Sequence, residues 1–410
     1  MSKAETLLAD FEALSQIGRQ PQGGWARQAF GPEDRAAHDW FLERARAAGL
    51  SARYDAFGNA IARLETGEGP AIVIGSHLDT VIGGGAFDGA LGVLAGLDVA
   101  RRLAASGGVA CPIEVIAFRD EEGRFGPFTG SRAMTGKLPL DTLDKLRDAE
   151  GASLIDSMRM AGFDPDQAHE AVRHRDKIAA YLELHIEQGR VLEQAGLPLG
   201  IVSAIAGQER LAIRFVGQSD HAGTAPMDLR RDAFAATARF ADRFRDLVLA
   251  DASSTLRGTI GIVNLSPNQG NVVPGEVRLG LEIRDIDEEA VERSARATEA
   301  LAAQVAQEFG CSLKTRSLYR EAPVHMDARL RSALQESAEE LGVSAMSLPS
   351  GANHDAGVMG RFVPSAMLFV PSRDGRSHCP EEHTDWPSIA QATDVLERTV
   401  RRLASIKHVG

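Results

Sequence analysis

Residues 75–89 read GSHLDTVIGGGAFDG, and the rest of the chain is organised around this stretch. The apolar residues 71–74 precede it, and the apolar run 91–103 follows it. This pattern predicts a buried strand that ends near His77 and a helix that begins after Asp88. The glycines between them let the backbone turn tightly. Because ligands of α/β proteins bind at the carboxyl ends of strands, His77 and Asp88 indicate a metal site.

Length, charge and cysteine usage narrow the class of protein. The 410 residues are enough for two domains or for one large domain with an insertion. The formal net charge of −12 argues against a nucleic-acid partner and against an acidic membrane surface. Three cysteines without paired spacing, no apolar leader and no run of roughly 18–20 apolar residues favour a soluble, cytoplasmic protein.

Two further apolar strands are predicted at 113–118 and 179–186, and both run into polar residues that can bind metals. The first is followed by Glu121 and Glu122, and the second contains His185 near its end. Each residue alone has an ordinary explanation, such as a helix cap for Asp88, a solvated charge pair for the glutamates or a buried core histidine. Together they form a nitrogen and oxygen ligand set suited to Zn²⁺, Mn²⁺, Co²⁺ or Ni²⁺.

The middle of the chain has a different pattern. Its predicted elements follow the order strand, helix, strand, strand, helix, strand, at 211–216, 231–249, 258–265, 276–284, 288–309 and 311–318. This β-α-β-β-α-β order is typical of a ferredoxin-like fold. We therefore expect an inserted domain at 207–318, within a first domain made of 1–206 and 319–410.

Eight motifs give the chain a resemblance to a known family. They are GSHLDTV (75–81), GGAFDG (84–89), DEEG (120–123), GSR (130–132), ELHIEQG (183–189), HAGTAPM (221–227), SGANHDA (350–356) and SHCPEE (377–382). With them, the chain resembles the hydantoinase/carbamoylase-type amidases of the M20 metallopeptidase superfamily, from about residue 15 to its end. The resemblance implies an α/β protein: a zinc-peptidase-like catalytic domain with a mixed sheet and helices on both faces, and a ferredoxin-like lid through which two subunits form a homodimer.

The resemblance also implies roles at the matching positions. Two divalent metal ions (Zn, Mn, Co or Ni) would be held by five side chains, with Asp88 bridging the ions: His77, Asp88, Glu122, His185 and His378. Glu121 would act as the general base and later as the proton donor to the leaving nitrogen. Asp79 would orient His77.

Four residues would contact the substrate by the same resemblance: Gln188, His221, Asn271 and Arg284. The planar guanidinium of Arg284 suits bidentate binding of a carboxylate. His221 would also act in catalysis, by donating a hydrogen bond to the carbonyl oxygen as negative charge develops on it.

The implied reaction is cleavage of the ureido C–N bond of an N-carbamoyl amino acid to the amino acid, ammonia and carbon dioxide. The alternatives are an allantoate amidohydrolase, another M20 amidase that acts on an N-acyl amino acid or a dipeptide, and a non-catalytic binding protein on the same scaffold. The loop 123–130 is shorter than expected for the family, and Asn353 and Cys379 replace residues common in it. These differences bear on the identity of the substrate.

Overall fold

The structure, a computed structural model, describes residues 3–405. It divides into two compact units. The large unit contains the chain up to Ser203 and from Met326 onward, and the inserted unit is Ala204–His325.

Thirteen strands and eleven α-helices are formed by the described residues. The strands are β1 Ser51–Tyr54, β2 Ala60–Leu64, β3 Ala71–His77, β4 Ile113–Phe118, β5 Ile178–Ile186, β6 Leu199–Ile205, β7 Gly207–Val216, β8 Arg257–Ser266, β9 Glu276–Asp285, β10 Ser312–Glu321, β11 Val324–His325, β12 Ala345–Ser350 and β13 Ser365–Val370. The helices are α1 Lys3–Leu14, α2 Pro32–Ala47, α3 Ala90–Ala105, α4 Thr129–Met134, α5 Leu154–Met160, α6 Val191–Ala195, α7 Ala233–Leu249, α8 Glu288–Glu308, α9 Ala328–Glu340, α10 Asp355–Gly360 and α11 Trp386–Ser405.

A nine-stranded mixed sheet has the strand order β1-β2-β4-β3-β5-β13-β6-β11, with β12 paired to β6. Strands β4, β3, β5 and β13 run parallel to one another. At the two ends of this group, β2 pairs with β4 and β6 pairs with β13 in the antiparallel sense. The predicted mixed α/β class is therefore confirmed. Because β4, β3, β5 and β13 are parallel, their carboxyl ends lie at one edge of the sheet.

Continuous apolar runs explain the central strands. Every residue of β3, β4 and β13 is buried, as expected for parallel strands covered on both faces. Helix α3 is also buried along nearly its whole length and packs against β3, α1 and α11. This core fixes where β3 ends and where α3 begins, and so it fixes the loop that connects them.

The inserted unit contains a four-stranded antiparallel sheet with the order β10-β7-β9-β8. Its helices α7 and α8 contribute to a separate core, in which Phe240 and Val305 pack with Phe215 and Ile283. The predicted order of strands and helices is present. The compact unit is Ala204–His325, and the β10–β7 pairing continues as far as Glu321, beyond residue 318.

Three strands, β6, β11 and β12, were not predicted. Residues 349–355 are predicted as a loop, but β12 includes the first two of them. The residues of β12 are mostly half-buried or exposed, and among the described strands it pairs with β6, so the apolar pattern that marks a central strand is missing. Among the described helices, none is long and apolar enough to cross a membrane.

Candidate active site

The parallel strands bring the predicted metal-binding residues to one edge of the large sheet. His77 is the last residue of β3, and His185 is the penultimate residue of β5. Glu121 and Glu122 follow β4, and His378 lies in the segment after β13. Asp88 belongs to the loop that leads from β3 into α3. The sheet topology alone therefore collects side chains that are up to about three hundred residues apart.

Asp88 lies between the three histidines. Its Oδ1 atom is 3.4 Å from His77 Nε2 and 3.2 Å from His185 Nε2. Its Oδ2 atom is 3.3 Å from His378 Nε2, which is also 3.5 Å from Glu122 Oε2. The two oxygens of one carboxylate therefore face two different groups of potential ligands. The groups are His77, Asp88 and His185, and Asp88, Glu122 and His378.

The tautomers of two histidines suit metal binding. His77 Nδ1 donates to the backbone carbonyl of Asp79 at 3.0 Å, and His185 Nδ1 donates to the carbonyl of Ile186 at 2.9 Å. These bonds hold the proton on Nδ1 and leave Nε2 with its lone pair. His77 Nε2 is buried and has no hydrogen-bond partner within residues 3–405. A donor set of this kind, with a buried nitrogen 3.4 Å from the Asp88 carboxylate and 3.6 Å from that of Glu121, fits divalent cations.

Several pKa values at the site are shifted in the metal-free chain, because buried ionisable groups lie close together there. Burial lowers the pKa of His77, but Glu121 and Asp88 outweigh it and raise that pKa well above its usual value. The hydrogen bond to Asp88 raises the pKa of His378 to about 9. Burial raises the pKa of Glu122 to about 7 and that of Glu121 well above its usual range. Bound cations would relieve this accumulation of carboxylates.

Glu121 lies beside the two ligand groups. Its side chain is 8% exposed, and Oε2 is 3.6 Å from His77 Nε2. Two further sets of side chains lie close enough to hold an ion, His77 with Glu121 and Glu122, and Glu183 with His185 and His354. Geometry alone thus allows Glu121 to be either a ligand or a free base.

The turn that presents the glutamates is held by Asp79. Its carboxylate accepts the backbone N–H of Glu121 at 3.3 Å and that of Glu122 at 3.1 Å. Asp120, which precedes them, has a φ of 59°, a strained conformation for a residue with a side chain. The Asp79 carboxylate is 3.8 Å from His77 Nδ1, so the backbone carbonyl of Asp79 provides the shorter orienting contact to the imidazole. Sequence reasoning identified Asp79 but could not distinguish these two contacts.

The loop before α3 needs glycine at a second strained position. Gly89 has a φ of +63°, and a Cβ atom there would lie 2.4 Å from the ring of His77. The close approach of backbone to imidazole sets the position of Asp88, the preceding residue.

Gln188, a predicted substrate contact, bonds to Asp88 in the structure. Its Nε2 donates to Asp88 Oδ2 at 2.7 Å and to Ser377 Oγ at 3.3 Å. Its Oε1 atom is buried and has no hydrogen-bond partner in the described part of the chain. Gln188 and His378 both have a positive φ of 57°, so strained backbone recurs around the site.

Three residues without an active role in the sequence analysis also contact this region. Ser377 Oγ lies 2.8 Å from Asp88 Oδ2 and 2.9 Å from Glu382 Oε2. The His354 ring packs against the His185 ring with centroids 4.4 Å apart. Ser377, Glu382 and His354 all lie in the motifs quoted in the sequence analysis, and this position in a motif was the sign in the sequence of a role at the site. Their contacts depend on tertiary structure, which the sequence does not display.

The remaining predicted residues belong to the inserted unit. His221 is exposed and forms a backbone bridge with Val272, and the N–H of Ala222 donates to the Asn271 carbonyl at 2.9 Å. His221 and Asn271 therefore lie on adjacent segments. Arg284 lies on β9, and its Nε is 2.5 Å from Glu282 Oε1.

Comparison with known proteins identifies the family. The profile described as peptidase family M20/M25/M40 matches residues 73–402. The chain belongs to this family. Among its M20 relatives is the N-carbamoyl-L-amino acid amidohydrolase of Geobacillus stearothermophilus, 42% identical, with 98% of this chain and 99% of the relative covered. The allantoate amidohydrolase of Bacillus subtilis is 38% identical, with 96% of each chain covered.

A solved M20-type structure shares the fold over the whole chain. The hydantoinase/carbamoylase family amidase from Burkholderia multivorans superposes with a TM-score of 0.91 and 32% identity, with 98% of each chain covered. The predicted resemblance to the hydantoinase/carbamoylase amidases is confirmed by these comparisons.

Proposed function

We propose that this M20 protein is a metal-dependent amidohydrolase that cleaves the ureido C–N bond of N-carbamoyl-L-amino acids. The products are the amino acid, ammonia and carbon dioxide. The observation that carries the proposal is the position of Asp88, whose two carboxylate oxygens face different histidines. The amidohydrolases among the relatives support the choice of reaction.

Two divalent ions per chain are proposed, one with His77, Asp88 and His185 and one with Asp88, Glu122 and His378. When bound, such ions supply Lewis acidity, which activates water and draws electron density from the carbonyl. Their identity among Zn, Mn, Co and Ni is left to the experiment below, because availability as well as ligand chemistry selects the metal.

Glu121 moves the proton in this proposal. Its buried carboxylate lies beside His77 and outside the two proposed ligand groups, so it is available to exchange a proton with the attacking water. Its Oε2 atom takes a proton from the attacking water and returns it to the leaving nitrogen. Asp79 keeps Glu121 in place through the N–H bonds described above.

The inserted unit supplies substrate contacts. Arg284 binds the carboxylate of the amino acid in a bidentate manner, and Glu282 holds the guanidinium in orientation. His221 donates to the carbonyl oxygen that gains negative charge, and Asn271 and Gln188 add polar contacts.

A second candidate substrate is allantoate, which is favoured by the relative from Bacillus subtilis. Allantoate also carries ureido groups and a carboxylate, so the same residues suit it. An N-acyl amino acid or a dipeptide remains a third possibility on the same machinery.

A substrate panel tests the proposal. The protein is stripped of metal, reloaded with Zn²⁺, Mn²⁺, Co²⁺ or Ni²⁺, and offered N-carbamoyl-L-amino acids, allantoate, N-acyl amino acids and dipeptides. We expect the highest kcat/KM with an N-carbamoyl-L-amino acid, with ammonia and the amino acid identified by mass. A higher kcat/KM with allantoate would select the second candidate. A metal-loaded protein inactive on the whole panel would contradict the enzyme proposal.

A homodimer formed through the inserted unit is also part of the proposal. Strand β8 is at the edge of its sheet, and the side chains of Ile262 and Val263 on it are 56% and 53% exposed. Edge strands with exposed apolar side chains readily pair with another chain. Light scattering should give the mass of two chains, and the mass of one chain would contradict this part.

The three free cysteines support a cytoplasmic location.

A further inference from the structure

Glu382 connects the two loops that carry Asp88 and His378. Its side chain is only 5% exposed, although it follows an exposed glutamate in the sequence. Glu382 Oε1 accepts the backbone N–H of Phe87 at 2.8 Å and that of Asp88 at 3.0 Å. The same carboxylate thus holds the backbone of the residue proposed to bridge the two ions.

The second oxygen of Glu382 is directed to the other loop. Glu382 Oε2 lies 2.9 Å from Ser377 Oγ, and Ser377 precedes His378 in sequence. Ser377 Oγ is also 2.8 Å from Asp88 Oδ2. Ser377, Glu382 and Asp88 therefore contact one another, and the single hydroxyl proton of Ser377 is donated to one of the two carboxylates at a time.

The loop around Asp88 leaves space for this carboxylate only because it contains glycine at position 85. A Cβ atom at Gly85 would lie 2.0 Å from Glu382 Oε1 and 2.1 Å from Glu382 Cδ. The Glu382 carboxylate can therefore occupy its buried position because Gly85 has no side chain there.

We propose that Glu382 is a positioning residue, which sets the distance between Asp88 and His378 and thereby the affinity of the ion that they share with Glu122. The inference rests on the metal site of the proposed function. Hydrogen bonds that orient metal ligands typically change metal affinity about 10-fold to 100-fold when they are removed. The larger effect is expected at the ion shared with His378. Asp88 serves both proposed ions, but His77 and His185 are held by backbone carbonyls that Glu382 does not contact.

Three variants separate geometry from charge. Glu382→Ala removes all three bonds. Glu382→Gln keeps them, because the amide oxygen accepts both N–H groups and the amide nitrogen donates to Ser377. Ser377→Ala keeps both N–H bonds of Glu382 and removes the contacts of the Ser377 hydroxyl with Glu382, Asp88 and Gln188. Glu381→Gln is the matched control, since Glu381 is exposed and its carboxylate is 2.9 Å from Arg376 Nη2 on the surface.

The measurement is titration of the metal-free proteins with Zn²⁺ in competition with a chromophoric chelator. Glu382→Ala should bind the ion shared with His378 about 10-fold to 100-fold more weakly and the other ion more weakly by a smaller factor. Glu382→Gln should stay close to the wild type, and Ser377→Ala should also weaken the ion shared with His378. Unfolding of the metal-free forms is recorded alongside, because a purely structural role would lower stability without changing the relative affinities of the two ions. If Glu382→Ala does not fold, Glu382→Asp, whose shorter side chain does not reach both loops, takes its place.

Two results would overturn the inference. One is wild-type affinity for both ions in Ser377→Ala and in folded Glu382→Ala. The other is equal weakening in Glu382→Gln and Glu382→Ala, which would assign the effect to charge. Failure of the wild-type chain itself to bind zinc would contradict the proposed metal site, and is thereby distinguished from both.

Discussion

The Asp79 carboxylate accepts the backbone N–H of Glu122 at 3.1 Å, and this bond joins the end of β3 to the residues that follow β4. Asp79→Asn would turn an amide N–H₂ toward one of the backbone donors of the glutamate turn. We expect kcat to fall about 10-fold to 100-fold, with a smaller change in KM, because the turn that presents Glu121 loses its fixed position. Steady-state kinetics on the metal-loaded variant measures this change.

Asp55 offers a matched control for that variant. It also accepts successive backbone N–H groups in a turn, those of Phe57, Gly58 and Asn59, at 2.9–3.0 Å. Asp55→Asn should lower the stability while leaving the kcat of the folded protein close to that of the wild type. If both variants lose activity equally, a specific role of Asp79 at the glutamates is wrong.

Glu121→Gln tests whether this residue is a base or a ligand. We expect kcat to fall by a factor of about 10²–10⁴, since the amide cannot accept the proton of the attacking water. Elemental analysis should still find the wild-type number of ions. Loss of an ion together with activity would instead make Glu121 a ligand, as its grouping with His77 and Glu122 allows.

Arg284→Ala tests the carboxylate contact. Removing a charge-assisted hydrogen-bonding pair should raise KM about 10-fold to 100-fold with little change in kcat, because ground state and transition state lose the same contact. Arg284→Lys should recover only part of the affinity, since an ammonium cannot form the bidentate contact. Kinetics with the amide of the substrate, which lacks the carboxylate, provides the control. An equal loss with that amide would contradict the assignment.

Asp355 gives the metal-free protein a distinct pH dependence. Its carboxyl group is fully buried at the start of α10, and burial, with the charge of Glu183 second, raises its pKa to about 8. Between the ordinary aspartate pKa of 3.8 and a pH of about 8, the folded chain keeps this proton and the unfolded chain releases it. The free energy of unfolding therefore falls as pH rises, by up to about 1.4 kcal/mol per pH unit for one proton.

Asp355→Asn removes that titration. Urea unfolding of the metal-free proteins is measured between pH 5 and pH 8. The free energy of unfolding should decline less steeply with pH for the variant, so the difference in stability between the variant and the wild type should grow in favour of the variant as pH rises. Parallel curves for the two proteins would show that Asp355 does not titrate in this way.

Much of the site could be predicted because its residues follow the central strands. The strands predicted before His77, at 113–118 and at 179–186 overlap the observed β3, β4 and β5. Once the strands are parallel, their polar carboxyl ends lie at one edge of the sheet. The family prediction rests on motifs that span these ends.

Other features could not be predicted because they depend on tertiary contacts. Glu382 follows Glu381 and has the same chemistry, yet one is buried beneath the Asp88 loop and the other is exposed. The sequence likewise does not show that the backbone carbonyl of Asp79 reaches His77 while its carboxylate reaches the glutamates. Strands β6 and β12 lack the continuous burial that makes β3 recognisable.

The place of β13 in the sheet has a consequence for biosynthesis. This strand pairs with β5 on one side and with β6 on the other, although it is the last strand of the chain. A nascent polypeptide that has left the ribosome only as far as β12 has a gap in the middle of its sheet and has not yet acquired His378. The sheet and the proposed metal site can therefore be completed only after β13 and His378 have been synthesised, and shortened translation products should not close the sheet.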